Sequence, residues 1–279
     1  MILLPRLDSP GWWALALPSV LALAGYAAAT LRGEAHALRV GLLAGWVAHA
    51  AAILVDTLGI GSAQPGARFG FAPALSVTLW LVLAVYAVES RLVPLPGVRR
   101  VLASLGATAV LLALLFPGEF RPHAGSAWAP LHWVLGIASY GLFGAAVLHA
   151  ALLSNAERQM RLKPNGAGTL RQPPTPMGLP LLRLETLTFR FVAAGFVVLS
   201  MALLLGWWYA SPWRWDHKTV FSVLGWAVFA GLLAGRAAFG WRGRNATRWL
   251  YFGAVLLLLG YVGSRFVLEV VLKRASATM

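Results

Sequence analysis

The chain carries six histidines, nine carboxylates and no cysteine. Without thiolates it can form no disulfide, no thiolate metal site and no thioether bond to a cofactor. Nine acids scattered over 279 residues make neither a hard-metal cage nor a paired-carboxylate centre, and no glycine-rich phosphate loop precedes a lysine. Hydrolase, kinase and nucleotide-site chemistries therefore have no residues to carry them. What remains is imidazole, as an iron ligand or a carrier of protons.

One stretch concentrates the other groups an imidazole site would use: Trp207, Trp208, Tyr209, Pro212, Trp213, Arg214, Trp215, Asp216 and His217. Interfacial aromatics ordinarily anchor helices at the headgroup level, which accounts for Trp12, Trp13 and Trp249. Four Trp, a Tyr and an acid in a single turn exceed that role. Indole faces beside imidazole and a cation suit a planar amphipathic ligand such as heme: rings pack its faces, His binds the iron, and Arg or Lys meets the propionates. His132 and His217 are the candidate ligand pair, with Trp213, Trp215 and Asp216 around them, and His123 falls at the same end.

Helix geometry limits the other histidines. His132 and His149 lie about 25 Å apart along one helix and cannot share a metal, while His49 sits roughly 15 Å below the outer end of its own span. His49 is nevertheless a third candidate, as a heme ligand or proton relay, against the alternative of a neutral imidazole bonded to a neighbouring helix. Asp56 is expected to cap or hydrate the outer end of the same helix. Arg265 and Glu269, four apart, are expected to neutralise each other, and His36 and His149 to be ordinary interfacial residues.

These side chains need a membrane scaffold to hold them. Hydrophobic residues make up 59% of the chain and charged residues 11%, with a mean hydropathy of +0.72, whereas soluble domains carry about 25% charged residues. Crossing about 30 Å of hydrocarbon takes roughly 20 helical residues, and apolar stretches of that order recur at 12–31, 38–59, 71–89, 98–116, 130–153, 187–209, 220–239 and 249–272. They lack the alternation of barrel strands. The expectation is an all-α polytopic transmembrane helical bundle of about eight spans forming one membrane domain over 1–279. The first stretch is read as a retained span, because its apolar core exceeds the roughly 7–15 residues of a signal-peptide core and further spans follow at once. Residues 155–180, with Pro164, Gly166, Pro173, Pro174 and Pro176, read as a flexible inner loop, and Leu181 to Arg190 as a short interfacial lead into the sixth span.

The net charge of +14 then becomes an orientation signal and calls for no nucleic acid. With the N-terminus outside, inner loops hold fifteen of the 23 Lys and Arg residues and the outer side eight, as the positive-inside rule favours. Lys273 and Arg274 fall on the outer side against that rule, so an odd span count stays open.

The motif Trp213, Arg214, Trp215, Asp216, His217, Lys218, Thr219, followed by a span containing Trp226, resembles the W-x-W-D-x-K core of the tryptophan-rich motif in the cytochrome c assembly family. That family includes the CcsA-, ResC- and CcmC-type heme-handling membrane proteins. Gly240, Trp241, Arg242, Gly243 and Arg244 resemble its G-W-R-G inner loop, and Tyr261 to Leu268 its final span. Ser126, Trp128, His132, Ser139 and Tyr140 resemble the segment in which an external histidine opens a span, and His49 occupies the place of the membrane-embedded histidine. In size and in the W-D-H-K-T variant the chain most resembles the small YpjD- and HemX-like branch. The resemblance implies non-covalent heme b at the outer tryptophan-rich turn, presentation of heme for cytochrome c biogenesis, and a partner among membrane or periplasmic biogenesis proteins in the bacterial inner membrane. Two of the family's histidines are absent, near Val270 to Arg274 and near Leu233 to Arg236, so His217 is expected to substitute on the outer side.

Two competing functions follow from those departures. A regulator or scaffold would keep the fold and bind a partner protein without heme. A small transporter would use His49 and Asp56 as a polar track, although no inverted repeat or pair of interrupted helices accompanies them. No residue pattern requires catalysis by the chain itself.

Overall fold

The computed structural model describes residues 11–31, 35–61, 67–89, 96–121, 128–162, 181–209 and 215–272. The helices are α1 (Trp12–Leu31), α2 (Ala35–Leu58), α3 (Phe71–Glu89), α4 (Pro96–Leu115), α5 (Trp128–Leu162), α6 (Leu181–Tyr209), α7 (His217–Phe239) and α8 (Gly243–Leu258), the last continued to Val271 by π-helical segments around a single α turn. Eight of the helical stretches are long and apolar enough to cross a membrane. Leu-, Ala- and Val-rich runs fold this way in hydrocarbon because a helix satisfies every backbone N–H and C=O within the segment.

The spans form two four-helix halves. In one, Tyr26, Leu83 and Leu102 lie at the centre of α1 to α4; in the other, Phe143, Phe229 and Leu250 centre α5 to α8, with the Phe143 and Phe229 rings stacked at 3.9 Å. Helix α3 packs on α5 and joins the halves. Packing between helices in lipid depends on close approach and on polar contacts more than on hydrophobic burial, and both are present. A Cβ on Gly25 would lie 2.5 Å from the Gly45 backbone nitrogen, so α1 and α2 touch backbone to backbone. Between α2 and α3, the Trp46 indole N–H donates to the Trp80 carbonyl and the Trp80 indole N–H to the Trp46 carbonyl, each at 3.1 Å, with the rings stacked at 5.0 Å.

Three features depart from the sequence expectation. First, α5 runs on to Leu162, because Leu153 and Ala156 continue its buried stripe; the polar stretch expected as loop from Asn155 is helical as far as Leu162, and 163–180 lies outside the described residues. Residues 181–190 are likewise the first turns of the continuous α6. Second, β1 (Ala67–Phe69) and β2 (Glu119–Arg121) pair antiparallel in the connections after α2 and α4, with Phe69 opposite Glu119. Third, the last span leaves α geometry at Leu259–Gly263. There the Tyr140 hydroxyl of α5 donates to the Leu257 carbonyl and receives the Tyr261 backbone N–H. A side chain inserted into the i→i−4 ladder is a recognised origin of such a bulge.

Candidate functional site

Helices α2, α4 and α6 end, and α3, α5 and α7 begin, at the same face of the bundle. The candidate residues gather at this mouth. His132 sits one turn inside α5, with the exposed Trp128 a turn before it. Its Nδ1–H donates to the Ala202 carbonyl of α6 at 2.9 Å. A carbonyl only accepts, so that bond puts the proton on Nδ1 and makes Nε2 the lone-pair nitrogen. An imidazole oriented through its other nitrogen to a backbone carbonyl is the usual arrangement behind a metal-binding His.

The seat for this ring comes from α6. A Cβ on Gly206 would lie 2.9 Å from His132 Cε1, so the missing side chain is what lets the imidazole lie against the helix. Gly206 is not among the residues that the sequence singles out as candidates. Its signal is a lone glycine after Leu203, Leu204 and Leu205, since an isolated glycine in a helical run often marks close approach.

The far side of the mouth is the start of α7. Asp216 caps that helix, accepting from the Thr219 N–H at 2.8 Å and the Thr219 hydroxyl at 2.9 Å. Burial alone raises the Asp216 pKa, but these two bonds, with Lys218 and His217 nearby, bring it below the ordinary carboxylate value. His217 follows as the first, exposed residue of the helix. Trp207, Trp208 and Trp215 are exposed at 63%, 77% and 68%, which gives the mouth an unburied indole rim. Trp213 and His123 lie outside the described residues.

The paired strands brace this mouth. The Phe69 ring of β1 packs on Trp133, beside His132, at 4.5 Å, and Glu119 of β2 meets the buried Arg265 of the last span at 3.7 Å. The Arg265 charge also acts on Glu269, as expected, so this one cation serves an acid of its own span and one across elements. The carboxylate of Glu269 lies over Gly70, within 3.2 Å of where a Cβ would stand. Asp56, at the end of α2, pairs with Arg68 of β1 at 3.7 Å.

His49 belongs to a different layer. It is 1% exposed, with Nδ1 3.1 Å from the Tyr26 hydroxyl and Nε2 2.7 Å from Ser76 Oγ. Both ring nitrogens are engaged by neighbouring helices, so ligation of a metal there requires one of those bonds to open. His149 is also buried within the bundle and bonds the Ala145 carbonyl of its own helix at 2.8 Å. At the position where a second buried histidine is absent, Arg236 of α7 meets Glu185 of α6 at 2.9 Å and lies 3.6 Å over the Phe189 ring. Among the described residues, no group of three His, Asp or Glu side chains is arranged to hold a bare metal ion.

Eight apolar helices with an oriented histidine and an indole rim at one mouth define an integral membrane protein built around an aromatic-lined end of its bundle. The chain belongs to the cytochrome c assembly protein family, whose model matches residues 42–272. It is 22% identical over 223 residues to the cytochrome c biogenesis protein CcsA of Prochlorococcus marinus, covering 70% of this chain and 71% of that protein. It is 31% identical over 164 residues to the inner membrane protein YpjD of Escherichia coli, covering 57% and 60%, and 26% identical over 162 residues to a CcsA of Synechococcus, covering 51% and 53%. The chain thus spans between about half and seven tenths of these relatives' lengths. No solved structure matches.

Proposed function

We propose that the protein is a multi-pass bacterial inner-membrane protein, N-terminus outside, that binds heme b without covalent attachment at the mouth formed by α5, α6 and α7, and handles it for cytochrome c biogenesis. The observation that carries this reading is the orientation of His132, with Nδ1–H committed to Ala202 and the ring seated on Gly206. The residue types at this end suit the group: exposed indoles for the flat faces, and Lys218 for a propionate, with Arg214 a second cation on the sequence motif alone.

Bound heme would supply an iron that accepts imidazole ligands and changes between ferrous and ferric states. The chain's own residues do the rest. His132 would hold the iron through Nε2 and His217 is the proposed second ligand. Asp216 holds the first turn of α7 and so the position of His217, and the exposed Trp215 would shield the bound ring from water, with Trp213 the further candidate on the sequence motif. His49 holds α1, α2 and α3 together through Tyr26 and Ser76 and is proposed as an internal polar clasp in this state. A partner among membrane or periplasmic biogenesis proteins would receive the heme.

Heme titration of the purified protein followed by tryptophan fluorescence tests the reading. Saturable quenching at one heme per chain is expected, and it should weaken with Trp215→Ala. No quenching, together with a stoichiometric partner protein co-purifying free of heme, would replace this function with the scaffold reading.

A further inference from the structure

We propose that the opposite end of the bundle carries a binding site for an anionic phospholipid, on the outward face shared by α7 and α8. This site is independent of the heme mouth. An open groove of about 290 Å³ lies there, lined by Ala227, Val228, Gly231, Trp241 and Trp249.

Its shape follows from the turn between the two helices. Gly240, with φ 65°, ends α7 in the left-handed region, and the Trp241 N–H returns to the Gly235 carbonyl at 3.3 Å. The turn folds the Trp241 ring back over Gly235, where a Cβ would stand 2.5 Å from the ring. Trp249 stacks on Trp241 at 6.1 Å. The indoles form one wall, and the small residues of α7 form a floor with nothing within 4 Å of a Cβ placed on Gly231.

Charge selects the occupant. From His217 to Leu258 the chain contains no Asp or Glu. Arg242 is engaged by Glu185 at 3.6 Å, whereas Arg244 and Arg248, both exposed and one turn apart at the start of α8, have no salt-bridge partner among the described residues. Gly231 lies eight residues before the end of α7, a depth of about 12 Å at the helical rise. Arg244 and Arg248 do not line the groove itself but stand in the first turns of α8, just before its lining residue Trp249, so a phosphate held by these two exposed cations would leave an acyl chain to run over Gly231. Basic clefts between membrane helices recognise anionic headgroups in this way.

Native mass spectrometry of the full chain, equilibrated with equal phosphatidylglycerol and phosphatidylethanolamine, is the test. The wild type should retain phosphatidylglycerol in preference by about tenfold, given two cations at the headgroup. R244Q/R248Q should bring that ratio near unity, R244K/R248K should preserve it, and Gly231→Leu should lower retention of both lipids. Circular dichroism checks that each variant keeps its helices, and Trp249→Ala replaces Gly231→Leu if that variant does not fold. A preference unchanged in R244Q/R248Q overturns the proposal. So does conversion of a dimer to a monomer by Gly231→Leu, which would make this face an interface between copies.

Discussion

At His132 a single hydrogen bond determines which nitrogen faces the mouth, and its acceptor, Ala202, lies 70 residues away. The imidazole could be picked out from the sequence, because a polar, titratable ring at the opening of an apolar span, close to tryptophans, is a costly placement with few structural uses. Its orientation could not, because a backbone carbonyl on another helix leaves no mark in residue types. His49 shows the reverse case. A buried histidine read as ligand or clasp from sequence has both nitrogens taken by Tyr26 and Ser76, partners that only the packing of three helices reveals. Asp216→Ala should destabilise the start of α7 by about 1 kcal/mol, the usual cost of a lost cap, read as a lower melting temperature in detergent. The Asp216 pKa is depressed in the fold, so its contribution is present above the unfolded carboxylate value and is lost as pH falls through the folded one. The gap between wild type and Asp216→Ala should therefore start to narrow as pH falls below about 4 and close only below the folded value, and a gap that stays constant through acid pH contradicts the cap.

Among the elements, the spans were legible because hydropathy alone defines them, and α1 and α3 have the bounds that the apolar runs suggested. The β1–β2 pairing was not, because three-residue strands carry no periodicity and their partners come from connections far apart in the chain. That ribbon places Phe69 against Trp133 and Glu119 against Arg265, so it braces the first turns of α5 on which His132 stands. The π segment of the last span was also hidden, since its cause is the Tyr140 hydroxyl on another helix. Tyr140→Phe leaves the Leu257 carbonyl and the Tyr261 N–H without that hydroxyl. It should cost about 1–3 kcal/mol, measured by thermal unfolding in detergent, with helix content preserved. Gly206→Leu should displace the His132 ring and weaken heme binding while the bundle stays folded. Heme affinity equal to wild type in that variant would mean the ring does not need its seat on α6.

For the whole molecule, the charge distribution and the absence of cysteine acquire a practical use. Single cysteines introduced at Ile60, at the end where α2 closes, and at Asn245, in the basic first turn of α8, have no native thiol competing with them. With the N-terminus outside, a membrane-impermeant maleimide applied to intact cells should label Ile60→Cys and spare Asn245→Cys, and the opposite pattern would invert the bundle. The +14 net charge that signalled orientation also includes Arg244 and Arg248, the cations proposed to hold a lipid phosphate. Of the histidines, His132 and His217 stand at one mouth, while His49 and His149 are buried inside the two halves. Heme held through His132 at that mouth is tested most directly by the absorption spectrum of the protein purified from heme-replete membranes. A Soret band is expected in the wild type and in His149→Ala, and its loss or a clear shift in His132→Ala. No band in the wild type, or a band unchanged by His132→Ala, would contradict it.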